Sequence, residues 1–131
     1  MLWNFGGLVK SHKDLDVWRL AIDLAQDVYE VSKVFPRDEQ FGMTSQMRRA
    51  AVSIAGNIAE GAARNGQREF TQFLYIALGS ASEMETQLEI ARRVGLVAEG
   101  DFARLDALLA RVAQMLRGLI RSVKSDLDSQ S

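Results

Sequence analysis

Two sets of polar side chains in this sequence have spacing that could support chemistry. Arg49, Ser53, Asn57 and Glu60 follow one another at intervals of four, four and three residues, so on a helix they share one face. Ser80, Glu83 and Gln87 form a comparable stripe further along. If those two faces meet, a line of hydroxyl, amide and charged groups crosses an otherwise apolar interface. Three readings are open: a hydrogen-bonded network that fixes helix register, with Arg49 satisfying Glu60 or Glu83; a contact for a ligand or nucleic acid; or plain solvated surface.

The second set is basic. Between Phe102 and Ser125 stand Arg104, Arg111, Arg117, Arg121 and Lys124, opposed only by Asp106. At about 100° per residue, Arg117, Arg121 and Lys124 cluster on one flank of an apolar face, with Arg104 and Arg111 on the other. Such a flank is either solvated surface near a helix C-terminus or a run of positive charge able to hold phosphates. No aromatic residue for stacking single-stranded bases lies on that flank, so binding there would follow the backbone and not the sequence.

Much familiar catalysis is excluded by residue type. The 131 residues include no cysteine, so there is no disulfide, thiolate nucleophile, zinc ribbon or iron–sulfur site. His12 is the lone histidine, which leaves a His-rich metal site or a single-chain triad without an imidazole in place. The Glu-x-x-His pairs of di-iron bundles are missing, as are the Gly-x-x-x-x-Gly-Lys and Gly-x-Gly-x-x-Gly phosphate loops. No cofactor is expected. Sixteen Lys and Arg against seventeen Asp and Glu give a formal net charge of −1, so the chain as a whole is no polycation.

The elements that must position these residues are helices. Hydrophobic residues make up 47% of the chain and recur at three- and four-residue spacing, with one proline, Pro36. A first helix is expected from Leu15 to Val34, capped by Asp14 or Asp16 and ended by Phe35-Pro36. A second, rich in small residues, runs from Gln46 to Ala63 with Thr44 or Ser45 as its cap. A third follows Asn65-Gly66 and reaches Val94, and a fourth spans Asp101 to Lys124. Four amphipathic helices with short connections predict an all-α fold, an antiparallel up-down-up-down four-helix bundle. The domain reading is an N-terminal arm at 1–13, the bundle at 14–125 and a disordered tail at 126–131. The arm's Leu2, Trp3, Phe5, Leu8 and Val9 either fray or dock on a neighbouring subunit. No apolar run approaches the roughly 18 residues of a membrane span, and no signal-peptide pattern is present, so a cytoplasmic location is expected.

Asp14 to Trp18, Val34-Phe35-Pro36 and Glu39 to Ala50 resemble the bacterial four helix bundle protein family, named for the 23S rRNA intervening sequences that encode some members. The segment Ala51-Val52-Ser53-Ile54-Ala55-Gly56-Asn57-Ile58-Ala59-Glu60-Gly61 carries the strongest similarity, which continues through Glu69-Phe70, Phe73 to Ala77 and Gly79 to Leu88. The resemblance covers roughly Leu15 to Leu96. It implies a cytosolic antiparallel bundle that assembles as a ring-shaped homo-oligomer, typically a homopentamer, with no established enzyme activity. A related branch is the accessory protein of diversity-generating retroelements, whose basic pentamer binds nucleic acid and a reverse transcriptase. The sequence pI of about 5.8 departs from that basic pattern.

The functional expectation is a non-enzymatic homo-oligomer that binds RNA or DNA backbone, or a nucleic-acid enzyme, through the helix 4 arginines. The competing expectation is a protein–protein scaffold with no nucleic-acid ligand.

Overall fold

The computed structural model describes His12 and residues 15–129. Among these residues the fold is all-α and contains no strand: α1 spans Asp16–Ser32, α2 Met43–Ala63, α3 Gln67–Arg93 and α4 Glu99–Ser129, with a short 3₁₀ turn at Arg37–Glu39. The proposed arm at 1–13 lies, apart from His12, outside the described residues.

Each helix buries one stripe. Val17, Ala21, Leu24, Val28 and Val31 line α1, and Met47, Ala51, Ile54 and Ile58 line α2. From α3 come Phe70, Leu74, Ala77, Met84 and Leu88, and from α4 Leu105, Leu109, Val112, Leu116 and Val123. They form one continuous core. Burying a large side chain of this kind contributes about 1.5–3 kcal/mol, which makes the shared core the main source of stability. Packing joins α1 to α2, α2 to α3, α3 to α4 and α4 back to α1.

The α2–α3 seam is the tightest. Gly61 on α2 sits so close to α3 that a Cβ there would lie 2.6 Å from the Cβ of Phe73. Eight residues earlier, Ser53 meets Ser80, with 2.9 Å between the two hydroxyl oxygens. Both contacts need small residues on α2, which explains its poor intrinsic helix formers.

Several helix ends differ from the sequence reading. The α2 helix begins at Met43, ahead of Thr44-Ser45, because the Glu39 carboxylate accepts the Met43 backbone N–H at 3.1 Å. The cap therefore comes from the preceding turn, and Thr44 lies inside the helix and is buried. The α1 helix starts after Leu15 with no side-chain cap from an aspartate, and it ends at Ser32, short of Val34. At the far end, the disordered tail expected at 126–131 is corrected: α4 continues to Ser129. The Gln67 side chain donates to the Asp126 carboxylate, and Leu127 is half-buried, so the last turn is tied to the start of α3. Residues 130–131 lie outside the described residues.

The α3 helix stops at Gly95, which holds φ at +81°. Leu96 N–H bonds the Ala91 carbonyl at 2.8 Å and Gly95 N–H the Arg92 carbonyl at 3.1 Å, closing the helix with a left-handed residue.

Candidate nucleic-acid interface

The two basic flanks of α4 meet different neighbours, and this separates them chemically. On the α1 side, Arg104 donates to both carboxylate oxygens of Asp27 at 2.8 Å and to Asp101 at 2.9 Å. The Asp27 bond, then the Asp101 bond, raises the Arg104 guanidinium further above its ordinary range. Arg111 shares an open groove of about 530 Å³ with Asp23, Asp27 and Glu30. Arg104 is thus paired with acidic groups, while Arg111 makes no ion pair among the described residues but shares its groove with three carboxylates, so a phosphate there would face them.

On the other flank, Arg117 and Arg121 are exposed and have no ion pair among the described residues. Lys124 reaches across to α3, where its ammonium donates to the Tyr75 hydroxyl at 3.2 Å and lies 5.5 Å from the ring centroid. Tyr75 is 47% exposed. The sequence reading found no aromatic on this flank because Tyr75 belongs to a different helix, and only the packing of α3 on α4 brings it alongside. The flank therefore pairs cations with an exposed ring, the two features that hold a nucleic-acid backbone and stack a base.

The polar seam is assembled only in part. Asn57 Nδ2 donates to the Ser53 carbonyl at 2.8 Å and to the Ser53 hydroxyl at 3.0 Å, and Ser53 meets Ser80. Gln87 Nε2 donates to Glu83 at 3.3 Å as a separate pair. Glu60 pairs with Arg64, its neighbour one turn on, and not with Arg49. Arg49 is exposed, makes no ion pair among the described residues, and lines an open cleft of about 350 Å³ with Ser53, Ser80 and Glu83. The expected ion pairs from Arg49 to Glu60 or Glu83 are therefore absent among the described residues. Asn57→Leu is expected to cost about 0.5–1.5 kcal/mol, since it removes two bonds from a half-buried site. Chemical denaturation of the variant checks this, and an unchanged midpoint would show that the seam adds nothing to stability.

Elsewhere, Arg48, Arg92 and Arg93 are committed locally. Arg48 bonds the Ser32 hydroxyl at 2.8 Å and lies over the Tyr29 ring. Arg92 and Arg93 both bond Glu89, holding its carboxyl below the ordinary range, with Arg92 the larger cause. That contribution is present at neutral pH and is lost as pH falls through the lowered value. No group of three or more His, Asp or Glu side chains able to hold a metal occurs among the described residues. No helix among them is long and apolar enough to cross a membrane.

The model of the 23S rRNA-intervening sequence proteins matches residues 13–118. The chain belongs to this family. A solved structure similar to it is that of a protein of unknown function from the S23 ribosomal protein family of Bacteroides thetaiotaomicron. The two superpose with a TM-score of 0.75 at 24% identity, over 80% of this chain and 95% of that one, which establishes the shared fold. No curated protein matches.

Seen as part of a 23S rRNA-intervening sequence protein, the polar seam falls wholly inside the matched span. The basic flank straddles its edge: Arg117 lies within residues 13–118, whereas Arg121 and Lys124 lie beyond.

Proposed function

We propose that this protein is a cytoplasmic, non-enzymatic homo-oligomer that binds the backbone of RNA or DNA through the α3–α4 flank. Its protomer is an antiparallel up-down-up-down bundle, and several copies form a ring, the homopentamer that the family resemblance implies. Arg117, Arg121 and Lys124 neutralise phosphates, and the Tyr75 ring offers a stacking surface. The single observation that carries the reading is the contrast between the two flanks of α4. Arg104 and Arg111 lie among the carboxylates of α1, while Arg117 and Arg121 point to solvent with no acidic partner among the described residues. Solvated arginines on the same flank as the Lys124–Tyr75 contact offer cations to a phosphate backbone and a ring to a base.

Repetition around an oligomer would multiply a local charge that the net −1 of the chain conceals. Fluorescence anisotropy with labelled RNA and DNA at low ionic strength tests the reading. Binding that weakens steeply as salt is added is the expected result. Absence of binding to both nucleic acids at low salt would leave the scaffold reading in its place.

A further inference from the structure

The two helices of the basic flank divide its chemistry between them. Gln67 meets Asp126, Tyr75 meets Lys124 and Arg92 covers the Phe102 ring, so α3 and α4 run antiparallel along a shared seam. Residues 70–82 of α3 contain no charged side chain, and residues 107–125 of α4 contain basic residues and no acidic one. The antiparallel register lays these two stretches against each other. Along this part of the seam the charge is therefore all positive and all on α4.

On the α3 side, Tyr75, Leu78 and Ser82 follow at intervals of three and four and share the face turned to α4. Tyr75 and Ser82 are exposed, and Leu78 is partly buried between them. Gly79 stands beside this row, and a Cβ there would meet nothing within 4 Å, so the surface next to the Tyr75 ring is open. On the α4 side, Arg117, Arg121 and Lys124 form a parallel row. Two rows thus run side by side, about 8–10 Å apart as packed helix axes are. One is cationic, and the other is uncharged and holds an aromatic ring.

A duplex and a single strand differ in what they offer such a surface. A duplex presents phosphates and keeps the faces of its bases stacked inside, so it can use the α4 row and gains nothing from the α3 row. A single strand carries phosphates along one edge and unpaired base faces along the other, which matches both rows at once. We infer that the α3–α4 flank selects single-stranded over double-stranded nucleic acid, with the backbone along Arg117, Arg121 and Lys124 and a base stacked on Tyr75. The selection is for strand state and not for sequence, because stacking accepts any base. The inference rests on the proposed binding of nucleic acid at this flank and adds the strand state that reading leaves open.

Fluorescence anisotropy on the full chain tests it, with labelled oligothymidylate and a mixed-sequence duplex of the same length, both at low salt. The wild type is expected to bind oligothymidylate roughly tenfold more tightly than the duplex, within the range that stacking one base on a ring provides. Tyr75→Leu, which keeps an apolar side chain and removes the ring, is expected to weaken oligothymidylate binding by about the same factor and so bring the two constants together. Tyr75→Phe keeps the ring and loses the hydroxyl that Lys124 bonds, and it is expected to retain the preference. A thermal melt of each variant confirms that it folds. A wild type that binds the duplex as tightly as oligothymidylate would overturn the inference and leave backbone binding standing. A folded Tyr75→Leu protein that keeps the preference, or a Tyr75→Phe protein that loses it, would do the same. A wild type that binds neither probe would instead remove the nucleic-acid reading itself, and this inference with it.

Discussion

Gly61→Ala is expected to lower the unfolding free energy by about 1–3 kcal/mol, although it adds one methyl group and improves helix propensity. The added carbon would lie 2.6 Å from the Phe73 Cβ, 3.1 Å from Phe70 Cδ1 and 3.3 Å from the Phe70 carbonyl oxygen. A Cβ and a carbonyl cannot rotate out of the way, so relief requires α2 and α3 to move apart. That movement would loosen Phe70, which is almost wholly buried, and would stretch the Ser53–Ser80 contact further along the seam. Urea denaturation of wild type and variant measures the loss. The same substitution at Gly56 meets nothing, which separates a packing requirement from a general intolerance of alanine in α2.

Reversing charge at Arg117 and Arg121 together is the largest functional change expected. Each unit charge at contact distance from a phosphate is worth about 1 kcal/mol in water, and the double reversal alters four units. After allowance for screening, affinity for RNA or DNA is expected to fall on the order of a hundredfold. Both side chains are exposed and have no acidic partner among the described residues, so melting of Arg117→Glu/Arg121→Glu should stay close to that of the wild type. Anisotropy titration and a thermal melt on the same sample check the two halves of the prediction.

The helices were readable because apolar periodicity reports burial directly, and the stripe Val17, Ala21, Leu24, Val28 and Val31 is buried where that spacing places it. Local signals misled at the helix ends. Thr44-Ser45 resembles a cap, yet a carboxylate one turn earlier, Glu39, reaches the first free N–H of α2. The polar tail after Ser125 resembles disorder in isolation, but the partner of Asp126 is Gln67, on another helix.

The candidate site shows the same division. Grouping Arg117, Arg121 and Lys124 apart from Arg104 and Arg111 required only helical geometry. The chemistry of the two groups depended on Asp27, 77 residues from Arg104, and on Tyr75, 49 residues from Lys124. Neither partner is indicated by spacing along one helix. Arg49 illustrates the reverse error: its register matched Ser53 and Glu60, but Glu60 found Arg64 on its own helix and left Arg49 at the surface.

The dependence of nucleic-acid affinity on salt tests the central claim most directly. For wild type, Arg117→Ala/Arg121→Ala and Arg104→Ala, the logarithm of the binding constant is plotted against the logarithm of salt concentration. Losing two phosphate contacts should make the slope of the Arg117→Ala/Arg121→Ala protein shallower by about 2. Arg104→Ala should keep the wild-type slope, because Arg104 is spent on Asp27 and Asp101. Equal slopes for wild type and the Arg117→Ala/Arg121→Ala protein, or a shallower slope for Arg104→Ala, would contradict the assignment of the α3–α4 flank as the nucleic-acid surface.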